Sequence, residues 1–249
     1  MLLETVPTIS HDRMRGPGAT KARSILFAGC PKLVGVTFRY VRDEEIYGEA
    51  EEAKFVYKVV SGAVRGYKLL SDGRRQIGAF HLPGDLFGFE SGPTHKLTAE
   101  AVVDTIALVF ERGTLEYFAL RDIEVARQLW SLTARNLDHA VEHMLLLGRK
   151  TALERVADFL LEMAARMSPS GAMGLPMTRR DIADYLGLTL ETVSRTISRL
   201  EAEGVVEVVA ARQIKVLKRF WIDEMQNVVS GVAKSANWDL PPHGNCRAA

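Results

Sequence analysis

The stretch TRRDIADYLGLTLETVSRTISRLEAEG, residues 178–204, decides how the chain is read. It has the pattern of a helix, a tight turn at Gly187 and a second helix. Ile182, Ala183 and Leu186 mark the inner face of the first helix, with the small Ala183 where a crossing helix comes close. Val193, Ile197 and Leu200 mark the inner face of the second, Thr189 stands where its start is capped, and Gly204 where it stops. With Glu191 at zero and about 100° per residue, Ser194 falls near −60°, Arg195 near 40° and Arg199 near 80°, whereas Val193, Ile197 and Leu200 fall between about 180° and 240°. The second helix thus has a dry face, and opposite it a face of Glu, Ser and Arg. These types suit base edges in a major groove: the Arg fork fits guanine O6 and N7, a carboxylate accepts from cytosine N4, and a short hydroxyl permits close approach. Glu191, Ser194 and Arg195 are the candidate base-reading residues. The bland alternative is that Glu191 and Arg195 form an ordinary i, i+4 surface pair, a contribution of about 0.2–0.5 kcal/mol.

The surroundings favour nucleic acid. Two β-rich runs, Val205 to Val209 and Gln213 to Leu217, flank Ala210-Ala211-Arg212 and form a candidate wing, with Lys215, Lys218 and Arg219 nearby. Thr178, Arg179, Arg180, Thr189, Thr192, Arg199 and Arg212 are the candidate phosphate contacts, the kind that fix a protein's register on a duplex without reading sequence.

N-terminal to this unit, Thr151 to Met167 reads as a helix ended by Ser168-Pro169-Ser170-Gly171. Before it, Ile123, Ala126, Trp130, Thr133, Leu137, Ala140, Met144 and Leu147 recur at alternating spacings of 3 and 4, with no Gly or Pro until Gly148. This is a heptad seam, and it predicts one long helix that pairs with another. A threonine and two alanines make the seam thin, which suits a close two-helix contact. Burial against the chain's own β domain is the alternative.

From about Val34 to Phe110 the rhythm is all-β. Phe55 to Val60, Ala63 to Leu70, Gln76 to Leu82 and Ala99 to Phe110 are candidate strands, separated by Ser61-Gly62, Ser71-Asp72-Gly73 and Pro83-Gly84-Asp85. In Ala63 to Leu70 the alternation puts Val64, Gly66 and Lys68 on one face and Arg65, Tyr67 and Leu69 on the other. Seven or eight such strands predict a small antiparallel β-barrel or jelly roll. The chain is therefore expected to be α+β. A mobile arm over residues 1–24 precedes a sensor-like β-barrel over 25–119 and a dimerisation helix over 120–148. A winged helix-turn-helix DNA-binding domain over 149–222 and a tail over 223–249 complete it.

Composition narrows the class. The 249 residues are 47% hydrophobic and 25% charged with a formal net charge of +1, so any pull toward nucleic acid is local. No run approaches the roughly 20 apolar residues of a membrane span, and none in the first thirty residues makes a signal-peptide core, so a cytoplasmic protein with no membrane partner is expected. Two cysteines, Cys30 and Cys246, allow neither a disulfide framework nor a Cys-rich zinc site. Cys30 has no activating neighbour before Lys32 and reads as structural or incidental rather than as a redox thiol. His81 beside Leu82-Pro83-Gly84 raises the possibility of a metal-binding cupin enzyme, but His-x-His is absent, His95 stands alone, and His139 and His143 fit a solvated helix face. No P-loop, Gly-x-Ser-x-Gly or dinucleotide motif occurs, so neither enzyme activity, metal nor cofactor is expected.

The order of barrel, long heptad helix and winged helix, with Leu190-Glu191-Thr192-Val193-Ser194-Arg195, resembles the CRP/FNR superfamily of bacterial transcription regulators over about residues 30 to 222. Residues Val59 to Phe89 are similar to its cyclic-nucleotide-binding fold, and Gly148 to Met167 to the helix that opens its DNA-binding domain. The Glu-x-x-Ser-Arg form at Glu191, Ser194 and Arg195 resembles the FNR and FixK branch. The resemblance implies a homodimer that reads a palindrome of TTGA-type half-sites in double-stranded DNA with those three residues, and activation through RNA polymerase. Relatives touch the polymerase with the loop matching Ser91 to Lys96. Two departures matter. Two widely separated cysteines cannot supply the four that hold the iron–sulfur cluster of FNR proper. Phe87 to Val102 places Glu90 out of register with the receptors' Gly-Glu and offers Lys96 but no Arg for a cyclic phosphate. A FixK-like regulator active without a small ligand is expected. Its rivals are an effector-gated regulator of the same architecture, responding to a cyclic nucleotide, haem or nitric oxide, and a cupin-like or interaction protein without DNA readout.

Overall fold

A computed structural model describes residues 34–167 and 172–217, together with the backbone of 23–25. The N-terminal part is two antiparallel sheets. One has the order β1 (Arg23–Ile25), β2 (Val34–Tyr40), β9 (Thr105–Glu111), β4 (Phe55–Ser61), β7 (Leu86–Phe87). The other has the order β3 (Glu45–Tyr47), β8 (Thr98–Ala101), β5 (Val64–Leu69), β6 (Arg75–His81). Phe38, Tyr57, Val59 and Val109 of the first sheet share a buried cluster with Tyr47, Val64 and Ala99 of the second, so alternate residues of both sheets face one core. At Gly62, φ is +89° and an added Cβ would lie 2.4 Å from the Thr105 hydroxyl. That hydroxyl accepts from the Ala63 amide at 3.1 Å and donates to the Ala63 carbonyl at 3.0 Å, so only glycine turns the chain there.

Three expectations need correction here. Ala99 to Phe110, read as one strand, is β8 and β9 separated by a turn over 102–104. The arm expected over 1–24 has its last residues in β1, where Arg23 and Ser24 pair with Val36 and Gly35; residues 1–22, like the tail over 223–249 and both cysteines, lie outside the described residues. Strict alternation in Ala63 to Leu70 fails because the β5/β6 register shifts at Gly66/Tyr67, opposite Ala79 and Ile77, and because Arg65, on the face opposite Val64, is itself buried at 8% exposure.

After α1 (Arg112–Ala119), α2 runs from Ile123 to Arg149. At 27 residues it is about 40 Å long. The Asp122 carboxylate starts it by accepting from the Glu124 and Val125 amides at 2.9 and 3.4 Å. The helix continues through Gly148, where the sequence marked its end; a glycine in open space costs a long helix only about 1 kcal/mol. Val125, Leu129 and Leu132 pack on Val56, Leu86, Leu108, Phe110 and Leu115 of the β domain and α1. The seam points elsewhere. Ile123, Trp130, Leu137 and Met144, seven residues apart, are 76, 77, 63 and 62% exposed. Thr133 and Ala140 between them are exposed, and Ala126 is partly buried. Leu147 leaves the stripe and packs against the core of the C-terminal domain. Burial of the seam against the chain's own β domain is therefore ruled out: a different face of α2 does that.

The C-terminal domain holds α3 (Ala152–Met167), α4 (Arg179–Leu186), α5 (Leu190–Ala202) and a small antiparallel sheet of β10 (Met173–Gly174), β12 (Gln213–Val216) and β11 (Val206–Ala210). Phe159, Leu160 and Met163 of α3 meet Ile182 and Leu186 of α4, Val193, Ile197 and Leu200 of α5, and Ile214 of β12. The same buried cluster extends into the β domain through Ile77, Phe80 and Leu82. Arg155 stitches the junction: Nε donates to the Lys150 carbonyl at 2.9 Å, Nη1 to Leu186 at 2.9 Å and Nη2 to Leu147 at 2.7 Å. One guanidinium thereby satisfies carbonyls left open where α2 and α4 end. Among the described residues no helix is long and apolar enough to cross a membrane.

A histidine lies near the domain junction. The His81 ring stacks on Phe87 with centroids 4.9 Å apart, and burial, helped by the Arg166 and His139 charges, pushes its imidazole down to about 3. In the unfolded chain the same group takes a proton below about 6.5. Because the unfolded state binds more protons between those values, the neutral His81 contributes stability that is present above pH 6.5 and is lost as pH falls toward 3, with a slope of at most about 1.4 kcal/mol per pH unit. Denaturant melts from pH 7 to pH 4.5 should show a shallower loss for His81→Gln than for the parent; identical slopes would remove His81 as the cause.

Candidate nucleic-acid interface

Local chemistry sets α4 and α5 at their angle. Thr178 caps α4, accepting from the Asp181 amide at 3.1 Å, while the Asp181 carboxylate accepts from the Thr178 amide at 2.9 Å and hydroxyl at 2.7 Å. This is a reciprocal capping box. Gly187 closes the helix at φ +62°, a left-handed geometry that glycine takes without penalty. Thr189 caps α5, its hydroxyl 3.2 Å from the Thr192 amide and 3.0 Å from the Thr192 hydroxyl. Gly204 follows α5 at φ +65° and donates to the Glu201 carbonyl at 2.9 Å.

The faces of α5 are as the helical wheel predicts. Val193 and Leu200 are fully buried and Ile197 is 1% exposed. Glu191, Arg195 and Arg199 are exposed and Ser194 is partly so. Among the described residues no ion pair within 4.0 Å joins Glu191 to Arg195, although the Arg195 charge acts on the Glu191 carboxylate. The Glu191 carboxyl is held below its usual value by its own amide and the Thr189 hydroxyl, with the Arg180 and Arg195 charges adding to them. It is therefore an ionised acceptor at neutral pH, beside a guanidinium fork with no ion-pair partner among the described residues.

Arg180 is exposed beside α5, and Thr178, Arg179 and Arg212 line one cleft of about 270 Å³ between α4, α5 and the wing. Arg212 is anchored there by donating to the Pro176 carbonyl at 3.3 Å. Several of these residues, Thr178 among them, have partners within the protein. The Thr178 hydroxyl is engaged by Asp181, Thr189 and Thr192 bond to each other, and Arg199 Nε donates to Glu203 Oε1 at 2.8 Å. Lys215 lies 3.8 Å from Glu207, and Lys218 and Arg219 lie outside the described residues. Sequence reasoning missed Asp181. The signal was Thr178-x-x-Asp181, the pattern of a capping box.

A helix-turn-helix that presents a carboxylate, a hydroxyl and a guanidinium on one exposed face, with a basic wing beside it, defines a DNA-binding transcription regulator. Comparison with known proteins agrees. The Crp-like helix-turn-helix domain family matches residues 154–220, and the cyclic nucleotide-binding domain family matches residues 37–122. The chain is 47% identical over 186 residues to the nitrogen fixation regulation protein FixK of Azorhizobium caulinodans, covering 73% of this chain and 75% of that one. It is 42% identical over 188 residues to FixK of Rhizobium meliloti, covering 76% and 84%. The structure of FixK2 from Bradyrhizobium japonicum is similar with a TM-score of 0.75 at 61% identity, covering 77% of this chain and 97% of that one. The chain belongs to the CRP/FNR family of transcription regulators, on its FixK-like branch. It is not an enzyme, and the cupin reading falls with that membership.

The cyclic-nucleotide match does not carry its ligand with it. Inside the β domain, Tyr47 stacks on His95 at 3.6 Å and Tyr57 on Phe87 at 5.0 Å. Glu90 turns inward, accepting from the Lys96 amide at 3.2 Å and facing His95 Nδ1 at 3.4 Å. Residues 88–102 contain no arginine, and the buried Arg65 is held by Asp43, Glu100 and Asp181. For a cyclic phosphate the stretch 88–102 offers Lys96 but no guanidinium. These residues do not fit it.

Proposed function

We propose that the protein is a cytoplasmic homodimeric activator that binds a TTGA-type palindrome without a small ligand and recruits RNA polymerase. The observation that carries this reading is the exposed stripe of Ile123, Trp130, Leu137 and Met144 on a helix that leads directly into the DNA-binding domain. A stripe of large exposed apolar side chains at heptad spacing marks a surface that a second helix covers. Pairing two copies of α2 through this stripe, with Ala126, Thr133 and Ala140 between, brings two α5 helices to successive major grooves about 34 Å apart, hence half-site centres about 10 bp apart. Each TTGA half-site holds one G·C pair, which matches Arg195 for guanine and Glu191 for cytosine. Activation is supported by relatives named as activators, among them the transcriptional activator protein FnrL of Cereibacter sphaeroides, 34% identical over 229 residues. Ser91 to Lys96 is the loop offered to the polymerase.

Transcription in vitro tests the reading. Purified protein with no ligand added should raise transcript from a promoter carrying TTGAT-N4-ATCAA upstream of its polymerase site, and leave a promoter with a scrambled site unchanged. Equal output from both, or repression at the intact site, would contradict it. In the same system Arg179→Ala should weaken binding to every sequence alike and lower the slope of log affinity against log salt by about one, as expected for a lost phosphate contact. Loss confined to the palindrome would assign Arg179 to base readout instead.

A further inference from the structure

The β5–β6 hairpin reaches into the DNA-binding domain with two arginines. Arg65, 8% exposed, donates from Nη1 to Asp181 Oδ1 at 3.0 Å and from Nη2 to Asp43 at 3.0 Å and to Glu100. Arg75 donates from Nη2 to the same Asp181 oxygen at 2.7 Å and from Nε to Asp184 Oδ2 at 2.9 Å. Its guanidinium also lies 5.5 Å above the Tyr67 ring, whose hydroxyl donates to Glu100 at 3.1 Å. The other Asp181 oxygen belongs to the α4 capping box. A single carboxylate, 1% exposed, therefore ties the start of α4 to two neighbouring strands. Gln76 adds a bond from Nε2 to the Tyr185 carbonyl at 3.2 Å, on the same side of α4.

Burial pushes the Asp181 carboxyl up, but the Thr178 hydroxyl and amide and the two guanidiniums outweigh it, and it stays below the usual carboxylate value. Such a network is a poor stabiliser and a good ruler. Buried ion pairs return little net stability, and Arg65 Nε is buried with no hydrogen-bond partner among the described residues. Two guanidiniums, each giving one N–H to the same Asp181 oxygen and further bonds to Asp43, Glu100 and Asp184, nevertheless fix distance and angle, which sliding apolar contacts such as Phe80 on Tyr185, 5.2 Å between centroids, do not. Since α4 carries α5 through the turn at Gly187, whatever fixes α4 on the β domain also fixes α5 relative to the α2 seam.

We propose that Arg65, Arg75 and Asp181 are positioning residues that set operator spacing: the clasp holds the two recognition helices of the dimer at one separation and so selects the spacer between half-sites. This rests on the palindrome-reading homodimer proposed above. A merely structural clasp would lower affinity for every duplex together; a spacing clasp alters the preference among spacers.

The test uses the full chain and its Arg75→Gln variant on palindromes with N4, N5 and N6 spacers and on a duplex with one half-site. Arg75 is partly exposed, which leaves the variant foldable, and circular dichroism and sedimentation verify a folded dimer. The variant should bind the single half-site within about twofold of the parent while the preference for N4 over N5 and N6 falls about tenfold, since only geometry that forbids simultaneous engagement is relieved. The conservative variant Arg75→Lys, which keeps a cation facing both Asp181 and Asp184, should retain more of the preference than Arg75→Gln. An unchanged spacer preference in a folded Arg75→Gln dimer would overturn the clasp, as would an equal loss on all duplexes. A parent that shows no palindrome preference would overturn the functional reading itself, and that outcome is visible before any substitution is made.

Discussion

Leu137→Asp should give a folded monomer that binds the palindrome about 10²- to 10⁴-fold more weakly than the parent, the factor by which joining two modules raises avidity. Leu137 lies at the middle of the exposed stripe and is 63% exposed in the single chain. A substitution at so open a site changes the stability of the chain itself by no more than about 0.5 kcal/mol. In the dimer the same carboxylate faces its own copy across a thin seam and must be desolvated opposite a like charge. Sedimentation separates the two effects, because melting of the monomer should be little altered while its mass is halved. A variant that remains dimeric at micromolar concentration would mean that another surface joins the copies.

Arg195→Ala should cost about 1–3 kcal/mol on the cognate palindrome, about 5- to 150-fold per reading position, with little change on random DNA. Arg195 is exposed and has no ion-pair partner among the described residues, so its removal leaves α5 folded. Its neighbour Glu191 stays charged through the Thr189 hydroxyl and its own amide, both of which the variant retains. The loss therefore reports the fork on guanine rather than a collapse of the interface. Equal weakening on cognate and random duplexes would move Arg195 to the phosphate contacts.

What could be read in the sequence was what short-range chemistry decides. Gly187, Thr189 and the buried positions of α5 lie within a few residues of what they control, and the helical wheel alone separated Arg195 from Val193. The seam was legible because a heptad repeats over the whole of α2. The break between β8 and β9 was hidden, since Val102-Val103-Asp104-Thr105 looks like continuous strand until the Val102 amide is seen bonding to Ala63 at 2.8 Å. Alternation placed Arg65 on the face opposite Val64, but its burial there involves Asp181, 116 residues further along the chain. No local pattern announces such a partner. For the same reason Arg75 and Asp184 stood out in no motif, although they join the β domain to α4.

The most direct test of the central claim is fluorescence anisotropy of the full chain, with no ligand added, on TTGAT-N4-ATCAA and on a scrambled duplex at one fixed salt concentration. A dimer held ready by its own seam and clasp should prefer the palindrome by at least about 10³-fold, the lower end of specific recognition. Equal affinity for both duplexes from a well-folded dimer would contradict it, and would mean that the recognition helices are not in register until something else binds.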